Sequence, residues 1–148
     1  MNTINKSFKQ INLKYKNYNL VCYDSQIGDI TLFLLNGGPG LPCNYLREPH
    51  YEHLVNNGIR IVTYDQLGCG QSSKPKDISL WSIDRYVEEL EFVRNELNLG
   101  KLNLLGHSWG GWLAIEYSLK YQNNLKKLIL ENTCGDMPHL ISELNRLR

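Results

Sequence analysis

What this chain lacks removes several classes of function. No apolar run approaches the ~20 residues that cross a bilayer as a helix, so no membrane span is expected. The opening residues, MNTINKSFKQ, hold none of the apolar core of a secretory leader, and a cytoplasmic location is the expectation. Charge of one sign is not in excess: 16 Lys and Arg face 15 Asp and Glu, for a net +1. Nucleic acid and anionic lipid therefore find no basic face. Cysteine is sparse and scattered. Cys22, Cys43, Cys69 and Cys134 form no C-x-x-C pair, and no histidine stands at ligand spacing from them. They read as free thiols, with neither a disulfide framework nor a zinc site. What is left is ordinary for a globular domain: 148 residues, 42% hydrophobic and 21% charged, enough for one domain with a real core.

Apolar periodicity orders the chain. Residues 8–15 and 18–24 alternate around Lys16-Asn17, as an antiparallel hairpin does. Residues 30–36 and 59–64 are nearly continuous apolar runs, the mark of strands covered on both faces. A helix is predicted over 45–57, closed by Gly58. Ser82 caps a second, in which Ile83, Tyr86, Val87, Leu90, Val93 and Leu97 fall at helical spacing before Gly100. A strand over 101–105, a helix over 109–121 and a strand over 125–131 follow. Alternation of this kind after a hairpin predicts an α/β fold with a mostly parallel sheet and helices on both faces. Ligands on such sheets bind at the C-terminal strand ends, and three glycine-bearing motifs sit there.

Gly106-His107-Ser108-Trp109-Gly110 is G-x-S-x-G between a predicted strand and a predicted helix. Gly106 and Gly110 let the backbone turn sharply and lift the Ser108 hydroxyl clear of the sheet, and the helix that follows points its first amides at the same spot. Ser108 is the candidate nucleophile and the Trp109 amide a candidate oxyanion donor. Asn36-Gly37-Gly38-Pro39-Gly40 leaves an earlier strand, where the second oxyanion amide of an α/β-hydrolase belongs; the sequence does not choose between Gly37 and Gly38. Asp65 to Ser73 is glycine-rich but fits no phosphate-binding pattern, and Asp65 reads as the cap of a turn that buttresses the site. The base has no good candidate. Adjacent side chains in an elbow point apart, so His107 reads as a packed histidine. His50 and His53 fall by a helix on the wrong part of the sheet, and His139 follows the last strand. Glu131 and Asp136 are the acids placed to orient a base.

The stretches 36–40, 64–72 (Tyr-Asp-Gln-Leu-Gly-Cys-Gly-Gln-Ser) and 106–111 together resemble the proline iminopeptidase family of α/β-hydrolases, which includes the tricorn-interacting aminopeptidases. The family reads His where Asn36 stands and commonly Arg where Leu67 stands. The resemblance implies an α/β-hydrolase fold, with 1–136 as the N-terminal part of the core and 137–148 as the start of a helical cap. It implies release of an N-terminal residue, often proline, from a peptide with a free N-terminus, through an acyl-enzyme on Ser108 and without a cofactor. It also implies that the cap, the triad acid and the triad His lie beyond residue 148. Without them Ser108 retains about 10³-fold over water from the oxyanion hole. The chain alone is then expected to be nearly inactive, and poorly soluble through an open apolar sheet edge. An esterase or amide hydrolase, a non-catalytic remnant, and a half-enzyme completed by a C-terminal polypeptide are the other readings.

Overall fold

A computed structural model of the chain describes residues 8–147, with Pro49 and His50 by their backbone alone. Its centre is a six-stranded sheet in the order β1-β2-β4-β3-β5-β6. Strands β1 (Lys9–Tyr15) and β2 (Tyr18–Asp24) form the expected hairpin, with Tyr15 opposite Tyr18 and Lys16 left-handed at φ 54°. β2 runs antiparallel to β4 (Ile59–Asp65). From there the sheet is parallel: β4 beside β3 (Ile30–Leu35), β3 beside β5 (Leu102–His107), and β5 beside β6 (Leu125–Glu131).

Both faces of the central strands are buried, which explains their unbroken apolar sequences. Phe33, Leu35, Val62, Tyr64 and Leu104 point to one face. There they pack under α2 (Ile83–Glu96) and α3 (Trp109–Tyr121). Leu32, Leu34, Ile61 and Leu105 point to the other and meet Tyr51 and Val55 of α1 (Pro49–Asn56). Each such side chain contributes about 1.5–3 kcal/mol by leaving water.

The helix expected over 45–57 is in fact two pieces. A single 3-10 turn covers Asn44–Arg47, and α1 begins at Pro49. Proline disfavours helical geometry in the residue before it, and Glu48 is extended at ψ 168°. The same proline, lacking an N–H, suits the first helical position. Helix α2 starts on its Ser82 cap, which accepts from the Arg85 amide at 3.3 Å. It stops short of Gly100, because Asn98 takes the first left-handed step at φ 52°.

Strand order, more than any one element, positions the site. The chain builds β3 and β4 outward in one direction, then crosses back to lay β5 on the other side of β3. The loops leaving β3 and β5 thus open in opposite directions from adjacent strand ends, and a crevice forms between them. The last strand, β6, is an edge. Leu128, Ile129 and Leu130 are 38%, 42% and 45% exposed. Helix α4 (Met137–Arg146) follows, capped by Asp136 and exposing Ile141 and Leu144. Among the described residues no helix is long and apolar enough to cross a membrane.

Candidate active site

Ser108 sits between β5 and α3 with φ 54° and ψ −119°. A side chain in that conformation is strained by about 1–3 kcal/mol. Neighbours hold it there. Its N–H donates to the Glu131 carbonyl at 2.9 Å. Its carbonyl accepts from Gly111 N–H at 2.9 Å and from the Thr133 hydroxyl at 2.7 Å. The side-chain hydroxyl has no partner among the described residues, and it opens on a cavity of about 360 Å³ with Gly38, Trp109, Thr133 and Met137 in its wall.

The glycines of the elbow are there because strand and helix touch. A Cβ on Gly106 would collide with the Gly110 carbonyl oxygen, and one on Gly110 would collide with the Leu35 carbonyl oxygen. Gly111 has the Thr133 side chain 2.5 Å from where its Cβ would be. Helix α3 is thereby drawn down onto the ends of β3 and β5. Its first amide, that of Trp109, has no hydrogen-bond partner among the described residues, as the first turn of a helix leaves it. The Trp109 indole N–H donates to Gln66 Oε1 at 3.2 Å, and its ring stands edge-on to Tyr86 and Trp112. Trp109 also walls a second, apolar cavity of about 410 Å³, formed with Pro39, Leu67, Trp81, Ile83 and Tyr86.

The loop after β3 is tied at several points. The Asn36 side-chain amide donates to the Gly37 carbonyl at 2.9 Å and the Leu41 carbonyl at 2.7 Å, closing the loop on itself. Gly37 N–H is already used: it donates to the Tyr45 hydroxyl at 2.6 Å. Gly38, at φ 145°, keeps an N–H without a partner among the described residues and has no room for a Cβ, which would lie 2.7 Å from Gly40 N. Asp65 is buried and supports the loop from below. Its carboxylate accepts from Cys43 N–H at 2.8 Å, Gln71 N–H at 2.9 Å and the Tyr23 hydroxyl at 3.3 Å. It caps and joins two turns.

The other titratable candidates are engaged elsewhere. His107 is half-buried, with Nδ1 2.9 Å from the Tyr45 hydroxyl. His53 is exposed on α1, and the His50 side chain lies outside the described residues. His139 is exposed in the first turn of α4, where its backbone N–H meets the Asp136 cap at 2.9 Å. Glu131 accepts from the Tyr51 hydroxyl at 2.8 Å. Burial, with Asp65 nearby, pushes the Cys69 thiol up to about 11 and drives Cys43 well above the usual thiol range. Cys134 is in contact with Met137, sulfur to sulfur at 3.4 Å. Sequence reasoning gave no role to Tyr45 or Thr133, which reach the site from segments 62 and 25 positions away.

A serine raised on a strained strand-to-helix turn, at the switch point of a parallel sheet, has the backbone geometry of the elbow typical of α/β-hydrolases. Residues 30–148 match the α/β hydrolase fold family, and the chain belongs to it. It is 42% identical to the proline iminopeptidase of Saccharolobus solfataricus over 138 residues, 93% of this chain and 42% of that protein. The proline iminopeptidase of Lactiplantibacillus plantarum is 41% identical over 134 residues, 90% of this chain and 46% of that one. Among solved structures, the proline iminopeptidase of Mycobacterium smegmatis superposes with a TM-score of 0.85 at 24% identity, over 94% of this chain and 48% of that one. The chain spans less than half the length of the curated relatives it matches.

Proposed function

We propose that this chain is the nucleophile-bearing part of a serine aminopeptidase of the proline iminopeptidase type, acting on peptides with a free N-terminus. The observation that carries the reading is the elbow: Ser108 at φ 54° and ψ −119°, its hydroxyl unpaired and open to a cavity. Ser108 Oγ attacks the carbonyl of the substrate's first residue and gives up its proton to a base. The carbonyl oxygen becomes an oxyanion, received by backbone amides. The tetrahedral intermediate collapses, the C–N bond breaks, and the shortened peptide leaves as an amine carrying that proton. Water then releases the first residue from its ester on Ser108.

Gly38 and Trp109 are the amides for the oxyanion. Both are unpaired and both wall the Ser108 cavity, whereas the Gly37 amide is taken by Tyr45. Gly106 and Gly110 shape the turn and Asp65 braces the loop. None of the acids and histidines whose side chains are described hydrogen-bonds the Ser108 hydroxyl, and in this reading the base and its orienting acid belong to the part of the relatives' length that residues 1–148 do not span, on the same or a complementing polypeptide. The curated relatives, which run to more than twice the matched length, support this.

The test is covalent. A fluorophosphonate should label Ser108 slowly, and Ser108→Ala should abolish the label. Turnover of proline p-nitroanilide by the chain alone should be near background and should appear when a polypeptide carrying the missing Asp and His is added. No label on Ser108, or a preference for short acyl esters in the completed enzyme, would overturn the assignment.

A further inference from the structure

Gly37 N–H, the Tyr45 hydroxyl and the His107 imidazole lie in a row, and the protons along it can be counted. Gly37 N–H donates to Tyr45 Oη at 2.6 Å. The hydroxyl then has one proton of its own to place. Burial pushes Tyr45 above its ordinary 10, so that proton is retained at neutral pH. The acceptor within reach is His107 Nδ1, at 2.9 Å. The reverse arrangement, with Nδ1–H donating, would give the hydroxyl two donors and leave its own proton without a partner among the described residues. The row is satisfied by the His107 tautomer with its proton on Nε2.

The row has little slack. A Cβ on Gly37 would lie 3.2 Å from His107 Nδ1, 3.3 Å from Ser108 Cβ and 3.4 Å from Tyr45 Oη. The Tyr45 and His107 rings brace each other edge-on, 5.6 Å apart at 68°. Because His107 precedes Ser108, the row links the loop after β3 directly to the elbow.

We propose that Tyr45, held by His107, is a positioning residue that takes the Gly37 amide out of use and clamps the 36–41 loop against Ser108, leaving Gly38 as the amide this loop offers to the oxyanion. The inference rests on the serine-hydrolase reading above. Tyr45 touches no reacting atom in this scheme. It acts through the loop.

The experiment uses the full chain, labelled with ¹⁵N. The His107 tautomer is read from its ring nitrogens, the Gly37 amide from hydrogen exchange, and Ser108 from its rate of fluorophosphonate labelling. The wild-type chain should show Nε2–H on His107 and a protected Gly37 amide. Tyr45→Phe should speed Gly37 exchange at least tenfold, leave the central Leu104 amide unchanged, and slow labelling about tenfold. His107→Asn, which keeps an acceptor near the Nδ1 position, should label at close to the wild-type rate, while His107→Leu should behave like Tyr45→Phe. A merely structural role would not give that rescue. An Nδ1–H tautomer in the wild-type chain, or unchanged Gly37 exchange in folded Tyr45→Phe, overturns the proposal. Should Tyr45→Phe fail to fold, the wild-type tautomer and the two His107 variants still decide it. An inert wild-type Ser108 beside a Gly37 amide that depends on Tyr45 supports the clamp and counts against the serine-hydrolase reading.

Discussion

Gly106→Ala asks the most of the elbow. The added methyl would collide with the Gly110 carbonyl oxygen and lie 2.6 Å from both Gly110 C and Gly111 Cα. Ordinary contact for a Cβ begins near 3.4 Å, so β5 and α3 must part by at least roughly 0.8 Å, the difference between 3.4 and 2.6, and by more to clear the carbonyl oxygen. All three obstacles are backbone atoms at the start of a helix, so no change of rotamer relieves them. Overpacking a rigid core costs about 1–3 kcal/mol, sometimes more. A gap of this size also forfeits roughly a quarter to a half of each dispersion contact across the joint. The expected loss is about 3 kcal/mol in urea unfolding followed by tryptophan fluorescence, or about 6–12 °C in melting temperature for a domain of this size. Gly100→Ala is the control. Gly100 has φ 62° with nothing within 4 Å of its Cβ position, so it loses only the left-handed allowance, about 1–2 kcal/mol. Should Gly106→Ala unfold no more easily than Gly100→Ala, close approach of strand and helix is not what requires glycine there.

Glu89 is buried beside Arg85 and accepts from the Leu67 amide at 3.1 Å; burial pushes its carboxyl up to about 7, against the pull of Arg85. Its folded value thus lies above the unfolded one, so its stabilisation is complete below about pH 4.5 and is lost as pH rises through about 7. Glu89→Gln should flatten the fall in melting temperature between about pH 5 and 7, while lowering stability by about 3 kcal/mol above pH 7, where the charged Glu89 is the partner Arg85 loses; an unchanged slope refutes the assignment. Asp65→Asn replaces an acceptor with a donor opposite one of three donors, Cys43 N–H, Gln71 N–H or the Tyr23 hydroxyl. It should cost about 1–3 kcal/mol in urea unfolding, and a loss within the error of the measurement would show that the turn does not depend on it.

Much of this architecture was legible because its causes are local. The two-faced burial of β3 and β4 shows as unbroken apolar sequence, the Ser82 cap shows as a serine before a helical stripe, and α3 and β6 fall on 109–121 and 125–131 as periodicity predicts. The break at Glu48 was also local, and Pro49 announces it, but the apolar spacing of Leu46, Tyr51 and Val55 runs across it and hides it. The choice between Gly37 and Gly38 was not legible at all. Which amide is free depends on a hydroxyl from another segment, and nothing in Gly-Gly-Pro-Gly records where Tyr45 will lie. Asp65 could be read as a cap from its place after a strand, yet its tie to Cys43, 22 positions away, belongs to tertiary structure alone.

Ser108 is thus held from two sides, by the loop after β3 and by the exposed edge strand β6. On one side the loop after β3 is closed by Asn36, braced by Asp65 and pinned by Tyr45, all within the covered core of the sheet. On the other side Ser108 hangs from β6 and the segment after it, through Glu131 O and the Thr133 hydroxyl. Each of those bonds contributes about 0.5–1.5 kcal/mol, comparable with the strain of the elbow, so losing both leaves the strain uncompensated. β6 is the edge strand, with its Leu128-Ile129-Leu130 run exposed, and edges with few buried contacts open at lower free energy than a sheet's centre. In this chain by itself, local opening of β6 should release the Ser108 backbone before it disturbs the loop that carries Gly38. The geometry of Ser108 depends on whatever covers this edge.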